Sequence, residues 1–310
     1  MNIYTVDNIP DLKLILEKHG VAILKDYFTG AYADNVFNSV KEWLIDLDIG
    51  LTDDVSTWIS KNTPFGPRFG MYQSIISHAP KFWELREKMY PIFQELLDES
   101  DILCSIDGAS FYPTINSPKS RTSWEHIDQT ISSDLICYQS QFIASNTKAS
   151  FICTPGSHKK HGHIIKKFTI ETNSNWHKFN DDQISILKKR FGELYQIPIY
   201  APKGSIIFWD SRTIHAAKYP DNKENRWRAV FYISMRPKKS FNKKNKDIIK
   251  YAAINGKTTN HWGNKIFKPM DRFKIKNNKV VLLEQNSKDL SLVESFTKKQ
   301  KKMVGLQKID

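Results

Sequence analysis

The chain has 310 residues, and Lys and Arg outnumber Asp and Glu by 46 to 33, which gives a formal net charge of +13 at pH 7. This length predicts one elaborated catalytic domain, and no apolar run reaches the roughly 20 residues that a membrane-spanning helix needs. The start shows no basic or apolar leader pattern and the 3 cysteines are widely spaced, so we expect a cytoplasmic protein with reduced thiols.

The first third of the sequence predicts helices. Apolar residues recur at helical spacing over residues 11–19, 32–47 and 80–99. A short apolar strand is expected at residues 20–24, between the first two helices. Pro91 lies inside the third helix, and we expect it to kink or split that helix because proline cannot donate the helical hydrogen bond.

The middle of the sequence predicts strands instead. Short apolar runs are separated by residues that favour turns. The predicted strands are Ile102–Cys104, Ser110–Tyr112, Asp134–Phe142, Ser150–Cys153, Gln196–Tyr200, Ser205–Trp209 and Ala229–Met235. Helices followed by short strands predict a mainly β fold with helical support, namely a double-stranded β-helix of the jelly-roll or cupin-like barrel type.

Two segments interrupt or extend this pattern. Residues 158–195 form a long insertion between strands, with a helix expected at Asp181–Phe191, and an insertion of this size is typical of a lid or a substrate wall. We therefore predict a catalytic domain at residues 1–238 and a basic C-terminal extension at 239–310. The excess of basic over acidic residues is +2 for residues 1–240 and +11 for residues 241–310.

Three residues form the first candidate site. His126 and Asp128 are two positions apart, so on a strand their side chains point to the same face. His215 follows a later predicted strand and could join them. Two histidines and one carboxylate make the facial set of ligands that non-haem Fe(II) oxygenases use, with other metal positions left open.

Several short sequence segments, taken in their order along the chain, resemble the phytanoyl-CoA dioxygenase-like family of Fe(II)/2-oxoglutarate-dependent oxygenases. They cover roughly residues 10–238 and are Gly20-Val21-Ala22-Ile23-Leu24-Lys25-Asp26-Tyr27-Phe28, Trp124-Glu125-His126-Ile127-Asp128, Pro155-Gly156-Ser157-His158-Lys159, Trp209-Asp210-Ser211-Arg212-Thr213-Ile214-His215, and Arg228. The resemblance implies Fe(II) bound by His126, Asp128 and His215, with 2-oxoglutarate as cosubstrate and O2 as oxidant. Relatives that halogenate lack the carboxylate ligand, so Asp128 favours hydroxylation or a related oxidation.

The resemblance also implies residues that bind 2-oxoglutarate. An arginine offers a two-pronged donor for the distal carboxylate of this cosubstrate. Arg228 fits the apolar run that follows it, whereas Arg226 fits the spacing from His215, and both stay open at this point. Gln139 matches a family position that helps to hold 2-oxoglutarate, and it could equally be a polar residue that only lines the barrel.

Other conspicuous side chains are interpreted as structural. His158, His161 and His163 mimic a metal site but lie in a predicted loop without a suitably spaced carboxylate. Asp210 and Arg212 are expected to pair with each other as scaffold. The remaining two, Trp124 and Trp209, are expected to be core aromatic residues.

The sequence thus predicts an Fe(II)- and 2-oxoglutarate-dependent dioxygenase that hydroxylates a small organic or acyl substrate, releasing succinate and CO2. One alternative is an inactive oxygenase fold whose basic extension binds nucleic acid or an acidic partner. Another is a cupin-type metal protein with different chemistry. Nucleic acid is possible but not favoured as a partner, and the sequence selects neither a particular substrate nor an oligomeric state.

Overall fold

A computed structural model provides the architecture. It describes residues 3–47, 49–59, 75–116, 124–131, 134–146, 150–172, 174–218, 226–259, 273–276, 279–282 and 292–306.

Within these ranges the chain forms seven α-helices. They are α1 (Ile9–His19), α2 (Gly30–Asp46), α3 (Pro80–Leu97), α4 (His161–Lys167), α5 (Asp181–Phe191), α6 (Lys243–Ile254) and α7 (Lys298–Met303). The three predicted N-terminal helices are confirmed as α1 to α3, and the helix predicted in the insertion is confirmed as α5. Pro91 lies inside α3 without splitting it, because the helix is continuous from Pro80 to Leu97.

The same ranges contain fourteen β-strands. They are β1 (Thr5–Val6), β2 (Val21–Leu24), β3 (Ile102–Cys104), β4 (Ala109–Pro113), β5 (His126–Ile127), β6 (Tyr138–Ile143), β7 (Ser150–Cys153), β8 (His177–Lys178), β9 (Ile197–Ile199), β10 (Ile206–Asp210), β11 (His215–Lys218), β12 (Trp227–Pro237), β13 (Phe273–Lys276) and β14 (Lys279–Leu282).

The strands form two main sheets and one hairpin. The larger sheet has the order β1-β2-β10-β6-β12-β3, with β4 also paired to β12, and the smaller sheet has the order β8-β5-β11-β7-β9. The β13–β14 hairpin is a separate two-stranded sheet. Neither main sheet is closed on itself in the described ranges, so the overall class is a mixed sheet structure with helices.

The two faces of the larger sheet are covered by different partners. Phe142, Phe208 and Phe231 lie on the neighbouring strands β6, β10 and β12 and pack with apolar residues of α1, α2 and α3 in one core. Their neighbours in sequence, such as Ile207 and Val230, point to the other face and pack against the smaller sheet in a second core. The two sheets therefore face each other, and the interior between them can hold a site.

The predicted strands are confirmed, with shifts at their ends. The largest shift concerns the strand predicted at Asp134–Phe142, which begins only at Tyr138. The amide N–H of Ile136 donates to the side chain of Gln129, and the carbonyl of Asp134 accepts from it. A local side chain therefore occupies backbone groups that strand pairing would otherwise use.

The insertion at 158–195 is built into the smaller sheet. Its strand β8 pairs with β5 at one edge, in the register His126↔Lys178 and Ile127↔His177. Apolar residues of α4 and α5 pack with Ile127 and Ile214 in a core of their own. The insertion is thus joined to the strand that carries His126.

Much of the described C-terminal extension packs on the remainder of the chain. Ile249 and Ala253 of α6 and Val304 after α7 pack with Trp83 and Leu103. The sequence of residues 258–262, Thr-Thr-Asn-His-Trp, is typical of an ordered segment and predicts that the tail packs on the barrel. The first part of this segment is buried, and the amide N–H of Thr259 donates to the carbonyl of Ile106 at 2.9 Å. Residues 260–262 lie outside the described residues.

Two further expectations concern the whole chain. Among the residues that the structure describes, no helix has the length and apolar character needed to cross a membrane. The three cysteines, Cys104, Cys137 and Cys153, are buried and are not joined in disulfides. Burial raises the pKa of the Cys104 and Cys137 thiols to about 12, which keeps them protonated and unreactive at neutral pH.

Candidate metal centre

Two short strands of the smaller sheet bring the candidate histidines together. Strands β5 and β11 run antiparallel, and His126 is directly opposite His215 in their register. Directly opposed side chains in such a pair lie on the same face of the sheet. The centroids of the two imidazole rings are accordingly 4.2 Å apart.

Asp128 completes the group from the end of β5. Its Oδ1 lies 3.6 Å from Nε2 of His126, and its Oδ2 lies 3.4 Å from Nε2 of His215. The amide N–H of Asp128 donates to the carbonyl of Ser211 at 3.1 Å, which ties it to the segment before His215. All three ligand side chains are buried, with 5–6% of each residue exposed.

The hydrogen bonds of the two histidines set their tautomers. Nδ1 of His126 lies 3.1 Å from the carbonyl of Trp124, and Nδ1 of His215 lies 2.9 Å from the carbonyl of Thr213. A carbonyl can only accept, so in both rings Nδ1 carries the proton and donates. In the neutral rings both Nε2 atoms then present a lone pair towards Asp128, as metal-binding histidines require.

The donor set fits a transition-metal ion. Each of the three residues offers one ligand atom, and these atoms lie within 4.8 Å of one another. Metal–ligand bonds of about 2.1 Å at right angles place neighbouring donors about 3 Å apart. The observed 3.4 and 3.6 Å separations are close to this value, and one carboxylate with two imidazoles suits divalent iron and its neighbours.

Gln139 holds the carboxylate of the group. Its side chain is fully buried on β6, and its Nε2 donates to Oδ2 of Asp128 at 2.9 Å. A donor at this position fixes the rotation of the carboxylate and leaves Oδ1 to face His126.

The segment before His215 is held by the N-terminal part of the chain. The hydroxyl of Thr213 donates to the carbonyl of Gly20 at 2.9 Å, and the amide N–H of Asp210 donates to the same carbonyl at 3.0 Å. The expected pairing of Asp210 with Arg212 is confirmed, with Arg212 Nη2 lying 2.6 Å from Asp210 Oδ2. These contacts fix the position of the segment that leads into β11 at His215.

The two candidate arginines occupy different environments. Arg228 is 2% exposed and opposes Tyr112 in the β12–β4 register. Because side chains alternate along a strand, Arg228 shares a face with Val230 and Tyr232, which belong to the core between the two sheets. Arg226 is exposed just before β12, and its backbone pairs with Thr114.

The three clustered histidines serve separate structural roles. Nε2 of His158 contacts the carbonyl of Glu17 at 3.2 Å, and Nε2 of His161 contacts the carbonyl of Gln129 at 2.6 Å. His163 instead lies 3.3 Å from Nη1 of Arg190. The loop expected here is partly wrong, because residues 157–167 form a 3₁₀ turn followed by α4. His158 and His161 therefore tie this segment to the backbone at Glu17 and Gln129.

Of the two tryptophans predicted to lie in a core, one does and the other does not. Trp209 is 2% exposed in the core between the sheets, as expected. Trp124 was expected in a core as well, but it is only half-buried and stacks on the ring of His126, with centroids 4.7 Å apart. Two other aromatic residues at this site carry no signal in the sequence. Trp176 meets the same imidazole edge-on, and the hydroxyl of Tyr195 lies 3.2 Å from Oε1 of Glu125.

Comparison with known proteins identifies relatives of this fold. No family model matches the chain. The Ava biosynthesis cluster protein O of Aspergillus versicolor is 24% identical over 254 residues, which cover 76% of this chain and 80% of that protein. Among solved structures, a "Putative Oxidoreductase" from Salmonella typhimurium LT2 superposes with a TM-score of 0.54 at 11% identity, covering 95% of this chain and 82% of that one.

A second solved structure is EctD from S. alaskensis with 2-oxoglutarate and 5-hydroxyectoine. Its TM-score is 0.50 at 14% identity, and the match covers 74% of this chain and 76% of that chain. The chain therefore shares a fold with these two proteins. At such identities the likeness shows the fold alone, and any shared chemistry has to be argued from the site.

Proposed function

We propose that this protein is an Fe(II)- and 2-oxoglutarate-dependent oxygenase that oxidises a small organic molecule. The observation that carries the proposal is the buried group of His126, Asp128 and His215, with both imidazole Nε2 atoms directed at the carboxylate. When bound, iron, 2-oxoglutarate and O2 supply the oxidising power, and 2-oxoglutarate is converted to succinate and CO2. Hydroxylation is the outcome that the carboxylate ligand favours.

The residues of the chain hold and shield the reacting molecules. His126, Asp128 and His215 would occupy three positions on the metal and leave the others for cosubstrate and oxygen. Gln139 would keep the Asp128 carboxylate in its binding orientation through the 2.9 Å hydrogen bond. Burial of the three ligands limits the access of water, which strengthens the electrostatic interactions within the site.

Arg228 is our choice for binding the distal carboxylate of 2-oxoglutarate. Its guanidinium group is buried on the face of β12 that lines the interior, where a planar fork of donors pairs strongly with a carboxylate. Arg226 is exposed, so water would compete for its charge. Gln139 could also contribute to the cosubstrate site.

The strand order supports a double-stranded β-helix for this domain. Strands β5, β7, β9 and β11 belong to the smaller sheet, while β6, β10 and β12 belong to the larger one, so the chain passes repeatedly between facing sheets. This arrangement agrees with the resemblance to the phytanoyl-CoA dioxygenase-like family. The solved neighbour EctD contains 2-oxoglutarate, and the Aspergillus relative is named for a biosynthesis cluster.

Two measurements test the proposal. Aerobic incubation with Fe(II) and 2-oxoglutarate should form succinate slowly even without the true substrate, and His215→Ala should abolish this formation. Replacing Arg228 by Lys should weaken 2-oxoglutarate binding on the order of tenfold to a hundredfold, because a bidentate charged contact is lost. The matched variant Arg226→Lys should bind 2-oxoglutarate with the affinity of the wild type. A larger effect at Arg226 would assign the role to that residue instead.

A further inference from the structure

One imidazole of the candidate metal centre is flanked by two indoles. The ring of Trp124 stacks on that of His126, with centroids 4.7 Å apart and planes 19° from parallel. The ring of Trp176 meets the same imidazole edge-on, with centroids 5.8 Å apart and an interplanar angle of 90°. Two indoles therefore contact the ring of one candidate metal ligand.

Different parts of the chain position the two tryptophans. Nε1 of Trp124 donates to the carbonyl of Ala217 on β11 at 3.3 Å. Trp176 comes from the insertion, directly before β8, and its carbonyl accepts from the hydroxyl of Ser174 at 2.9 Å. The pairing of β8 with β5 sets its position beside His126. The indole of Trp124 and the backbone at Trp176 are thus anchored, which lowers the entropy lost when a ligand packs on these side chains.

Both indoles remain partly exposed beside buried polar ligands. Trp124 and Trp176 are of intermediate burial, whereas His126 is 6% exposed. Neither indole belongs to the hydrophobic clusters formed by the described residues. Anchored aromatic surface next to a few convergent polar groups is the usual composition of a small-molecule site.

The charges nearby do not favour a cationic ligand. Asp128 would be neutralised by the metal, and the carboxylate of Glu125 is buried with Oε1 bonded to the hydroxyl of Tyr195. A cationic ligand would therefore find little compensating negative charge from these groups, and the chain as a whole carries +13. Edge-on and stacked contacts suit a flat ring system.

We propose that Trp124 and Trp176 form an aromatic clamp that selects substrates carrying a planar ring system next to the metal. The clamp rests on the proposed oxygenase function for its meaning, because it places the ring beside the oxidising centre. It also makes the insertion a determinant of specificity, since the ring of Trp176, which comes from the insertion, contacts the imidazole of His126.

The test is ligand binding observed by fluorine NMR, with 5-fluoroindole as the aromatic probe and 4,4-difluorocyclohexanol as an aliphatic probe of similar size. Full-length protein is loaded with Co(II) and 2-oxoglutarate, and a parallel Zn(II) sample gives the diamagnetic reference. Paramagnetic broadening of 5-fluoroindole should show that it binds near the metal. The aliphatic probe should bind more weakly to the wild type.

Substitutions identify the surface that binds the probe. Trp124→Leu and Trp176→Leu should each weaken 5-fluoroindole binding about tenfold, the equivalent of losing one good aromatic contact. Trp124→Phe and Trp176→Phe should restore most of the affinity. Trp43→Leu removes another half-buried indole, on α2 against the helical core, and should leave probe binding unchanged. The affinity for Co(II) should be similar in all five variants.

The outcomes separate the clamp from the oxygenase function. Equal probe affinity in wild type and both Leu variants, or no binding of 5-fluoroindole by the wild type, overturns the clamp. Failure of the wild type to bind Co(II) and 2-oxoglutarate overturns the proposed function instead. Titration of the metal-free protein with the same probe still reports on the two indoles in that case.

Discussion

Gly20 connects α1 to β2 at a point where the N-terminal segment meets the metal centre. Its backbone has a φ of +74°, and a Cβ added there would lie 2.4 Å from Nδ1 of His158 and 2.5 Å from Oγ1 of Thr213. Both neighbours are buried, so neither can move away freely. We expect Gly20→Ala to destabilise the protein and to disturb the candidate metal site.

Two costs combine in this variant. A left-handed conformation costs about 1–2 kcal/mol for a residue with a side chain. Overpacking of a filled interior adds about 1–3 kcal/mol, so the total loss in the free energy of unfolding is about 2–5 kcal/mol. Thr213 must also shift, and its carbonyl accepts the hydrogen bond from Nδ1 of His215. Metal affinity should therefore fall together with stability.

Gly156 offers a matched control for the backbone cost. It has a φ of +79°, and nothing lies within 4 Å of an added Cβ. Gly156→Ala should lose only the conformational share of about 1–2 kcal/mol and should keep its metal affinity. Urea unfolding of both variants, with Co(II) titration alongside, measures the difference. Equal losses of stability in the two variants would refute the packing argument at Gly20.

Two other predictions concern the surroundings of the site. Gln139→Leu should weaken Co(II) binding about tenfold to a hundredfold, because the Asp128 carboxylate loses the donor that orients it. Calorimetric titration measures this affinity, and a wild-type value in the variant would contradict the prediction. Burial lowers the pKa of His158 and His161 below their ordinary 6.5, so the unfolded chain binds more protons than the native protein. The free energy of unfolding should therefore be fully retained above about pH 6.5 and fall as the pH drops below it. Urea unfolding between about pH 7.5 and about pH 5.5 measures how the free energy of unfolding depends on pH. This dependence should become weaker when both histidines are replaced by Gln. An unchanged dependence in that variant would disprove the involvement of His158 and His161.

The sequence predicted the long elements well because their patterns are strong. Helix α3 has apolar residues at helical spacing and strand β10 is a continuous apolar run, and their bounds differ from the predicted ones by no more than two residues. The pairing of Asp210 with Arg212 was equally accessible, because two charges two positions apart can meet within one turn. Continuity through Pro91 was not, since tertiary packing of α3 outweighs the local cost of proline.

The contacts of the insertion could not be predicted in the same way. Strand β8 has two residues, too few to show a period, yet its pairing with β5 places Trp176 beside His126. The choice between Arg226 and Arg228 also depended on where β12 begins. Both arginines would share a face of any strand that included them, and only the fold shows that β12 begins at Trp227 and leaves Arg226 exposed before it.

In the proposed function, His126, Asp128 and His215 bind Fe(II) together with 2-oxoglutarate. The most direct measurement is anaerobic titration of the metal-free protein with Fe(II) and then 2-oxoglutarate, followed by visible absorption. We predict a weak metal-to-ligand charge-transfer band in the wild type that is absent in Asp128→Ala and His215→Ala. A folded wild-type protein without the band, or variants that keep it, would contradict the assignment.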